Sequence, residues 1–311
     1  MREHAVSTVI FQNLSSATGS AARLATKLGL ACEDIDLHHF PDGELRITIG
    51  PVADTVILYA VLGQPNEKLI ALLLASEALR RAGAKRLILV APYLCYMRQD
   101  AAFHPGEAIS QRAIGRLLAG IVDRVVTVDA HLHRTARIEL VFPGIEADNL
   151  SAMPAIANTL AKTGVDPATV VIGPDSESEP WVSDLARRLQ LQHTVARKMR
   201  HGDRSVQIEF AEPGLLSGRP ALLVDDIISS GATLMVAAKA LEAAGASCID
   251  AIVTHALFPP EMVAAFSDAG IRSVRSTDSV PHPTNAIALS EILAAALRPE
   301  LSKTPSPETT T

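Results

Sequence analysis

Short runs of aliphatic and β-branched residues alternate along this chain with Ala- and Leu-rich stretches of helical period. The strand-like runs fall at Val6–Phe11, Thr55–Leu62, Arg86–Pro92, Arg124–Asp129, Thr169–Gly173, Ala221–Val224 and Cys248–His255. Several are apolar almost throughout, the pattern of strands covered on both faces. Between them, Gly19–Leu28, Leu69–Ala82, Ser110–Ala119, Met153–Lys162, Glu179–Leu189 and Ala232–Ala244 read as helices. Gly29, Gly83 and Gly245 stand just past helix ends, where a left-handed residue is wanted. The alternation predicts an α/β fold with mostly parallel sheets. One sheet's worth of strands is complete by about residue 147, and a new helix starts at Met153–Pro154. The chain therefore divides into a domain over residues 1–148 and a second over 149–284. A helix over Asn285–Leu297 is expected to pack back on the first domain, and the Pro/Ser/Thr-rich tail 299–311 to be disordered.

Composition narrows the functional classes. With 311 residues, of which 48% are hydrophobic, the chain can bury two cores of ordinary size. A net charge of -6 and 4% aromatic residues argue against a nucleic-acid-binding stripe or a base-stacking platform. Cys32, Cys95 and Cys248 are widely spaced and form no metal-ligand pattern, so they are expected to be buried thiols in a reducing compartment. No signal-like or membrane-length apolar run is present, which predicts a cytoplasmic protein that does not enter a membrane.

Candidate chemistry collects where open α/β sheets bind ligands, beyond the carboxyl ends of strands. The segments there are Tyr93 to Asp100, Asp129 to Arg134, Pro174 to Glu179 and Asp225 to Thr233. The last is the most specific. Asp225 and Asp226 end an apolar strand, and Ser229, Ser230, Gly231, Ala232 and Thr233 open a helix. Backbone N–H groups and hydroxyls at a helix N-terminus suit a phosphate, and the two acids can accept hydrogen bonds from the hydroxyls of its sugar. The bland alternative, a capped tight connection, leaves the cost of a paired Asp behind an apolar strand unexplained. Other signals are weaker alone. Phe40-Pro41-Asp42-Gly43 is also an ordinary turn signature, and Lys198-Met199-Arg200 also reads as a solvated charge run.

The Asp225–Thr233 segment resembles the phosphoribosyl-diphosphate-binding signature. Phe40 to Glu44, Arg98-Gln99-Asp100 and the Asp129/His131 pair, in that order, resemble the nucleotide half of ribose-phosphate diphosphokinases. The likeness runs from about Val9 to about Leu297 and is nearest the archaeal-type branch. It implies two tandem phosphoribosyltransferase-type domains, with the site in the cleft between them. It also implies ATP and ribose 5-phosphate as substrates, Mg²⁺ as cofactor and a homodimer or higher homo-oligomer. Carried over, Phe40, Asp42 and Glu44 hold the adenine, with Phe40 packing on the base from a neighbouring subunit. Arg98, Gln99 and Asp100 bind ATP. His131 and Asp175 hold Mg²⁺ or its waters. Asp225, Asp226, Ser229, Ser230, Gly231, Ala232 and Thr233 bind ribose 5-phosphate. Lys198 and Arg200 act as catalytic groups on a mobile loop. His133 remains either a second metal neighbour or a surface residue, and His38 and His39 have no chemical role.

Two departures stand out. Ser176 to Trp181 carries Glu177 and Glu179 where the family has small residues, and Ala232 replaces a common glycine. Two alternatives follow: a phosphoribosyltransferase, which leaves Phe40–Glu44 and Arg98–Asp100 without a role, and a non-catalytic regulatory paralogue. In classical members an anion site lies partly just after Arg-Gln-Asp. Here that stretch, Ala101 to Glu107, has no Lys or Arg. ADP should therefore inhibit only by competing with ATP, and inorganic phosphate should not be an essential activator. ADP titrated at saturating ATP should lose its effect; inhibition that persists with a sigmoidal response would contradict this.

Overall fold

The computed structural model describes residues 9–15, 19–201, 205–210 and 213–302, with backbone alone at 197–201, 205–209 and 213. It separates into two compact units. One runs up to Leu150 and resumes at Ser290; the other is Ser151–Leu289.

The first unit contains β1 (Val9–Asn13), α1 (Gly19–Leu28), β2 (Cys32–Asp34), β3 (Asp36–His39), β4 (Leu45–Thr48), β5 (Thr55–Tyr59), α2 (Pro65–Arg81), β6 (Arg86–Val90), α3 (Ser110–Ala119), β7 (Arg124–Val128) and β8 (Glu146–Leu150). Six of these strands form one parallel sheet in the order β2-β1-β5-β6-β7-β8. β3 and β4 make a separate antiparallel hairpin. β5 is buried at every position and β6 at all but its first, as expected of strands with helices on both faces.

The second unit contains α4 (Met153–Thr163), β9 (Val170–Gly173), α5 (Glu179–Leu189), β10 (Gln192–His201), β11 (Ser205–Phe210), β12 (Pro220–Ile228), α6 (Ala232–Ala243), β13 (Cys248–Ala256), α7 (Met262–Asp268), β14 (Ile271–Thr277) and β15 (Asn285–Ile287). Its sheet runs β11-β10-β9-β12-β13-β14-β15, parallel except where β10 meets β11. In each sheet the chain first moves one way and then the other. The reversal lies between β1 and β5 in the first sheet and between β9 and β12 in the second. Such switch points open a crevice at the carboxyl ends of the strands.

Several boundaries differ from expectation. Asn285–Ile287 pairs with β14 as an edge strand, so the last helix, α8, begins only at Ser290. α8 (Ser290–Leu297) packs on α1 of the first unit, helped by Lys27 Nζ to Glu291 Oε2 at 2.7 Å. Residues 299–302 are not a disordered tail: Arg298–Leu301 forms a short 3-10 turn that plants Glu300 in the first unit. Among the cysteines only Cys95 is buried, while Cys32 and Cys248 lie on partly open strand starts.

Glu300 is 0% exposed. Arg86 Nε and Nη2 reach its carboxylate at 2.9 and 3.0 Å, and Arg124 Nη1 at 2.8 Å. Both arginines begin strands, β6 and β7, and Glu146 and Asp148 of β8 complete the network. Burial works against the Arg86 charge, yet its hydrogen bonds to Glu300 and Glu146 hold its pKa above the ordinary value. A carboxylate removed from such a pair leaves buried guanidinium charge uncompensated, at a cost of about 3–5 kcal/mol. Glu300→Ala should therefore lower the Tm of the first unit by roughly 10 °C, on the scaling for a domain of this size. Glu291→Ala, at an exposed pair, should leave it unchanged. Equal small shifts in calorimetry would contradict the assigned role.

Candidate functional site

In the second unit, acids stand near the carboxyl ends of both strands that flank the switch point. β12 does not stop at Val224; it continues through Asp225 and Asp226 to Ile228, so the two acids belong to the strand itself. Alternation along the strand buries Asp226 and leaves Asp225 partly open. The Asp226 N–H donates to Asp225 Oδ1 at 3.0 Å. Burial drives the Asp225 carboxyl well above the ordinary carboxylate range, and the charges of Asp226 and Asp175 push it further.

Asp175 follows β9. Its Oδ1 accepts from the Glu177 N–H at 3.1 Å, and its carbonyl accepts from Ser178 Oγ at 2.6 Å. Gly173, two positions earlier, must be glycine: a Cβ there would lie 2.3 Å from Ser178 Oγ and 2.7 Å from Val195 Cγ1.

Beyond β12 the chain turns through Ser229 and Ser230 into α6. Gly231 caps the helix at φ +71°, and a Cβ there would sit 2.3 Å from the Phe266 ring. Glycine is thus required twice, by backbone and by packing. The amides opening α6 form a ready anion site. Ala232 is the first residue of α6 and is exposed, while Thr233 is partly buried.

In the first unit, Phe40 to Glu44 is the turn of the β3–β4 hairpin. The Phe40 N–H donates to Glu44 O, the Gly43 N–H donates to Phe40 O, both at 2.9 Å, and Gly43 takes φ +90°. The segment therefore forms the turn that its Pro-Asp-Gly signature predicts. The Phe40 ring is 40% exposed and meets His38 edge-on with centroids 4.9 Å apart. His39 pairs with Glu67 at 2.8 Å.

Arg98, Gln99 and Asp100 lie beyond β6. Gln99 Oε1 accepts from Ser110 Oγ at 2.8 Å. Asp100 accepts from Arg134, side chain at 2.9 Å and main chain at 3.0 Å. Burial raises the Asp100 carboxyl, but the bonds from Arg134 outweigh it and hold its pKa below the ordinary range. Asp100 is thus engaged in placing Arg134, whose guanidinium lies 5.3 Å from the Phe103 ring centroid. Glu107 accepts from the Phe103 and His104 N–H groups at 2.8 and 3.1 Å, folding the cation-free stretch on itself.

His131 follows β7, and its Nδ1 lies 3.1 Å from His133 Nε2 with the rings 3.6 Å apart. His133 is therefore a direct neighbour of His131. Lys198 and Arg200 lie on β10, paired by backbone with Ile208 and Val206 of β11, rather than on an unpaired loop. Their side chains lie outside the described residues.

Backbone strain marks the same edge of the first unit. Among the described residues, four other than glycine have positive φ, and three of them, Gln64, Tyr96 and Asp129, follow β5, β6 and β7. Such strain gathers where a site over-determines the chain. The sequence did not reveal it. Asn13 and Ser15, at the switch point of the first sheet, were also missed. Asn13 Nδ2 reaches Asp34 Oδ1 at 2.7 Å, and Ser15 Oγ accepts from the Val61 N–H at 2.6 Å. The one visible signal was a polar residue closing an apolar strand.

Residues 9–121 match the family model described as the N-terminal domain of ribose phosphate pyrophosphokinase, and residues 147–294 match the phosphoribosyl transferase domain. The ribose-phosphate pyrophosphokinase of Methanopyrus kandleri is 31% identical over 88% of this chain and 94% of its own length. Ribose-phosphate pyrophosphokinase 2 of Archaeoglobus fulgidus is 32% identical over 88% and 94%. The chain belongs to the ribose-phosphate pyrophosphokinase family. Its fold matches that of phosphoribosylpyrophosphate synthetase from Mycobacterium smegmatis, with a TM-score of 0.80 at 23% identity over 94% of this chain and 98% of the other.

Against that family the departures at Ser176–Trp181 have a local cause. Ser176–Ser178 forms a 3-10 turn leading into α5. Glu177 is exposed, and Glu179 opens α5 and faces His193 at 3.3 Å. Acids in the first turn of a helix are favoured by its dipole.

The raised pKa of Asp225 has a measurable sign. A carboxyl whose folded pKa exceeds its unfolded value binds more protons in the native state, so the ligand-free protein loses stability as pH rises from about 4 through the raised value. Asp225→Asn removes that charge conflict. It should raise the ligand-free Tm at pH 8 by a few degrees, on the order of 1 kcal/mol, while lowering activity. A Tm that falls, or that rises equally at pH 4 and pH 8, would contradict the crowding of these carboxylates.

Proposed function

We propose that this ribose-phosphate pyrophosphokinase family member transfers the β,γ-diphosphoryl group of ATP to the anomeric 1-hydroxyl of ribose 5-phosphate. The bond formed joins that oxygen to the β-phosphorus. The bond broken joins the β-phosphorus to the oxygen bridging to the α-phosphate, which leaves with AMP; the hydroxyl proton is released. No covalent enzyme intermediate is needed, and positioning and charge stabilisation carry the acceleration.

The observation that carries the reading is the strand end, glycine turn and helix start from Asp225 to Thr233, set in a chain whose other half matches the N-terminal domain of these enzymes. A phosphoribosyltransferase would leave that first half without a role. The helix start receives the 5-phosphate, and Asp225 and Asp226 receive the ribose hydroxyls. Phe40, Asp42 and Glu44 take the adenine, and Arg98 and Gln99 the triphosphate. The exposure of Phe40 at a hairpin tip supports its reaching a neighbouring subunit in a homo-oligomer. Lys198 and Arg200 stabilise charge that develops in the transition state.

The residues present suit a hard divalent cation. Asp175, Asp225 and Asp226 crowd enough to push a carboxyl upward, and oxygen donors of this kind match Mg²⁺. Asp175, with His131 as a less usual partner, would hold the ion or its waters. Bound there, Mg²⁺ supplies charge neutralisation for the ATP oxygens. Among the described residues no helix is long and apolar enough to cross a membrane.

Purified protein with Mg²⁺, ATP and ribose 5-phosphate should release AMP, whereas release of inorganic pyrophosphate with a nucleobase and phosphoribosyl diphosphate would favour the transferase. Lys198→Ala and Arg200→Ala should each lower kcat about 100-fold with little change in KM, the cost of losing one transition-state donor. Thr233→Val should weaken ribose 5-phosphate binding modestly, by about tenfold. A pure KM effect at Lys198 or Arg200 would make that residue a binding group.

A further inference from the structure

The second unit holds a cavity of about 260 Å³ that the reaction does not use. It lies where β9, β12, β13 and β14 begin, under the end of α4, and is lined among others by Leu160, Thr169, Cys248, Asp250, Arg272 and Arg275. β12 starts here at Pro220 and reaches Asp226 six residues later, so the cavity and the acidic strand end lie about 20 Å apart on opposite edges of the sheet.

The two arginines are not equivalent. Arg272 grips Asp250, Nη2 to Oδ2 at 2.5 Å and Nε to Oδ1 at 3.2 Å, and Ser273 Oγ adds a bond to Oδ1 at 2.6 Å. That carboxylate is engaged by this set and also feels the charge of Arg275, and Asp166, the other acid on the cavity wall, is turned to the Ala168 N–H at 2.8 Å. Arg275 is half-buried, and its Nε is shielded from solvent with no hydrogen-bond partner among the described residues. A guanidinium keeps its charge at any relevant pH and presents a planar fork of donors matched to an oxyanion. A buried donor in a native structure calls for a partner.

We infer that this cavity is a second ligand site, in which Arg275 receives the oxyanion of a small phosphate or carboxylate metabolite. The volume admits a compact molecule rather than a nucleotide. Arg275 supplies the fork, Thr169 and the Arg272–Asp250 pair the polar rim, and Leu160 an apolar wall. The site stands apart from catalysis, so its occupant acts by binding the folded second unit and stabilising it.

Cys248 lines the cavity and is partly open, and Cys32, partly open in the first unit, is a built-in reference. The intact protein is treated with iodoacetamide in potassium phosphate, potassium acetate or KCl at equal ionic strength, and alkylation at each cysteine is followed by peptide mass spectrometry. Phosphate should slow modification of Cys248 several-fold and leave Cys32 unchanged; protection by acetate as well would mark a carboxylate site. Arg275→Met should abolish the protection while AMP formation persists, and Arg275→Lys should restore part of it. No protection at Cys248, equal protection by KCl, or protection that survives Arg275→Met would each overturn the assignment.

Discussion

Everything in the second unit depends on keeping carboxylates close together where two parallel strands end. Asp175 after β9 and Asp225 and Asp226 at the end of β12 meet at the switch point of the sheet, and their mutual repulsion adds to the cost of burial at Asp225. A free chain gains nothing from that crowding. Under the proposed function, sugar hydroxyls and a hard cation would offset it. The adjoining turn is built to the opposite sign. Gly231 lets α6 begin soon after the acids, so the backbone N–H groups of its first turn follow these carboxylates closely along the chain. Under the proposed function, a phosphorylated sugar would satisfy both at once.

The frame that holds these groups is stiff for simple reasons. β9 and the first half of β12 are apolar and buried, so they cannot slide without exposing their whole width. Gly173 and Gly231 are confined by Ser178, Val195 and Phe266, which fixes the exits of the two strands. The first unit uses charge for a similar end. Arg86 and Arg124, which begin β6 and β7, close on the buried Glu300 and so retain the C-terminal segment. The family match spans both halves of the chain, and the strained residues Gln64, Tyr96 and Asp129 follow successive strands of the first sheet.

Much of this was legible in the residues. Helices α1, α3 and α5 fall at the bounds that their period predicts, because each has one apolar face and clear ends. The strand end and helix start around Asp225–Thr233 were legible because acids and a small-residue turn follow an apolar run, although β12 extends to Ile228. What stayed hidden depended on pairing across the chain. Asn285–Ile287 becomes a strand only because β14 offers it an edge, and β10 extends through Lys198 and Arg200 because β11 pairs with it. Glu300 reads as a tail residue until Arg86 and Arg124, more than 170 positions earlier, are beside it. The strain at Tyr96 and Asp129 likewise has no compositional mark.

The central claim is the crowding of carboxylates at Asp225, which burial and the charges of Asp226 and Asp175 impose. Calorimetric titration with ribose 5-phosphate and Mg²⁺, repeated in buffers of different ionisation enthalpy, counts the protons exchanged on binding. Across a pH series above the ordinary carboxylate range, binding should release protons from the wild-type protein as Asp225 ionises, beyond the release from the sugar phosphate itself, and Asp225→Asn should lack that excess. Identical proton counts for the two proteins, or net uptake by the wild type, would contradict the account.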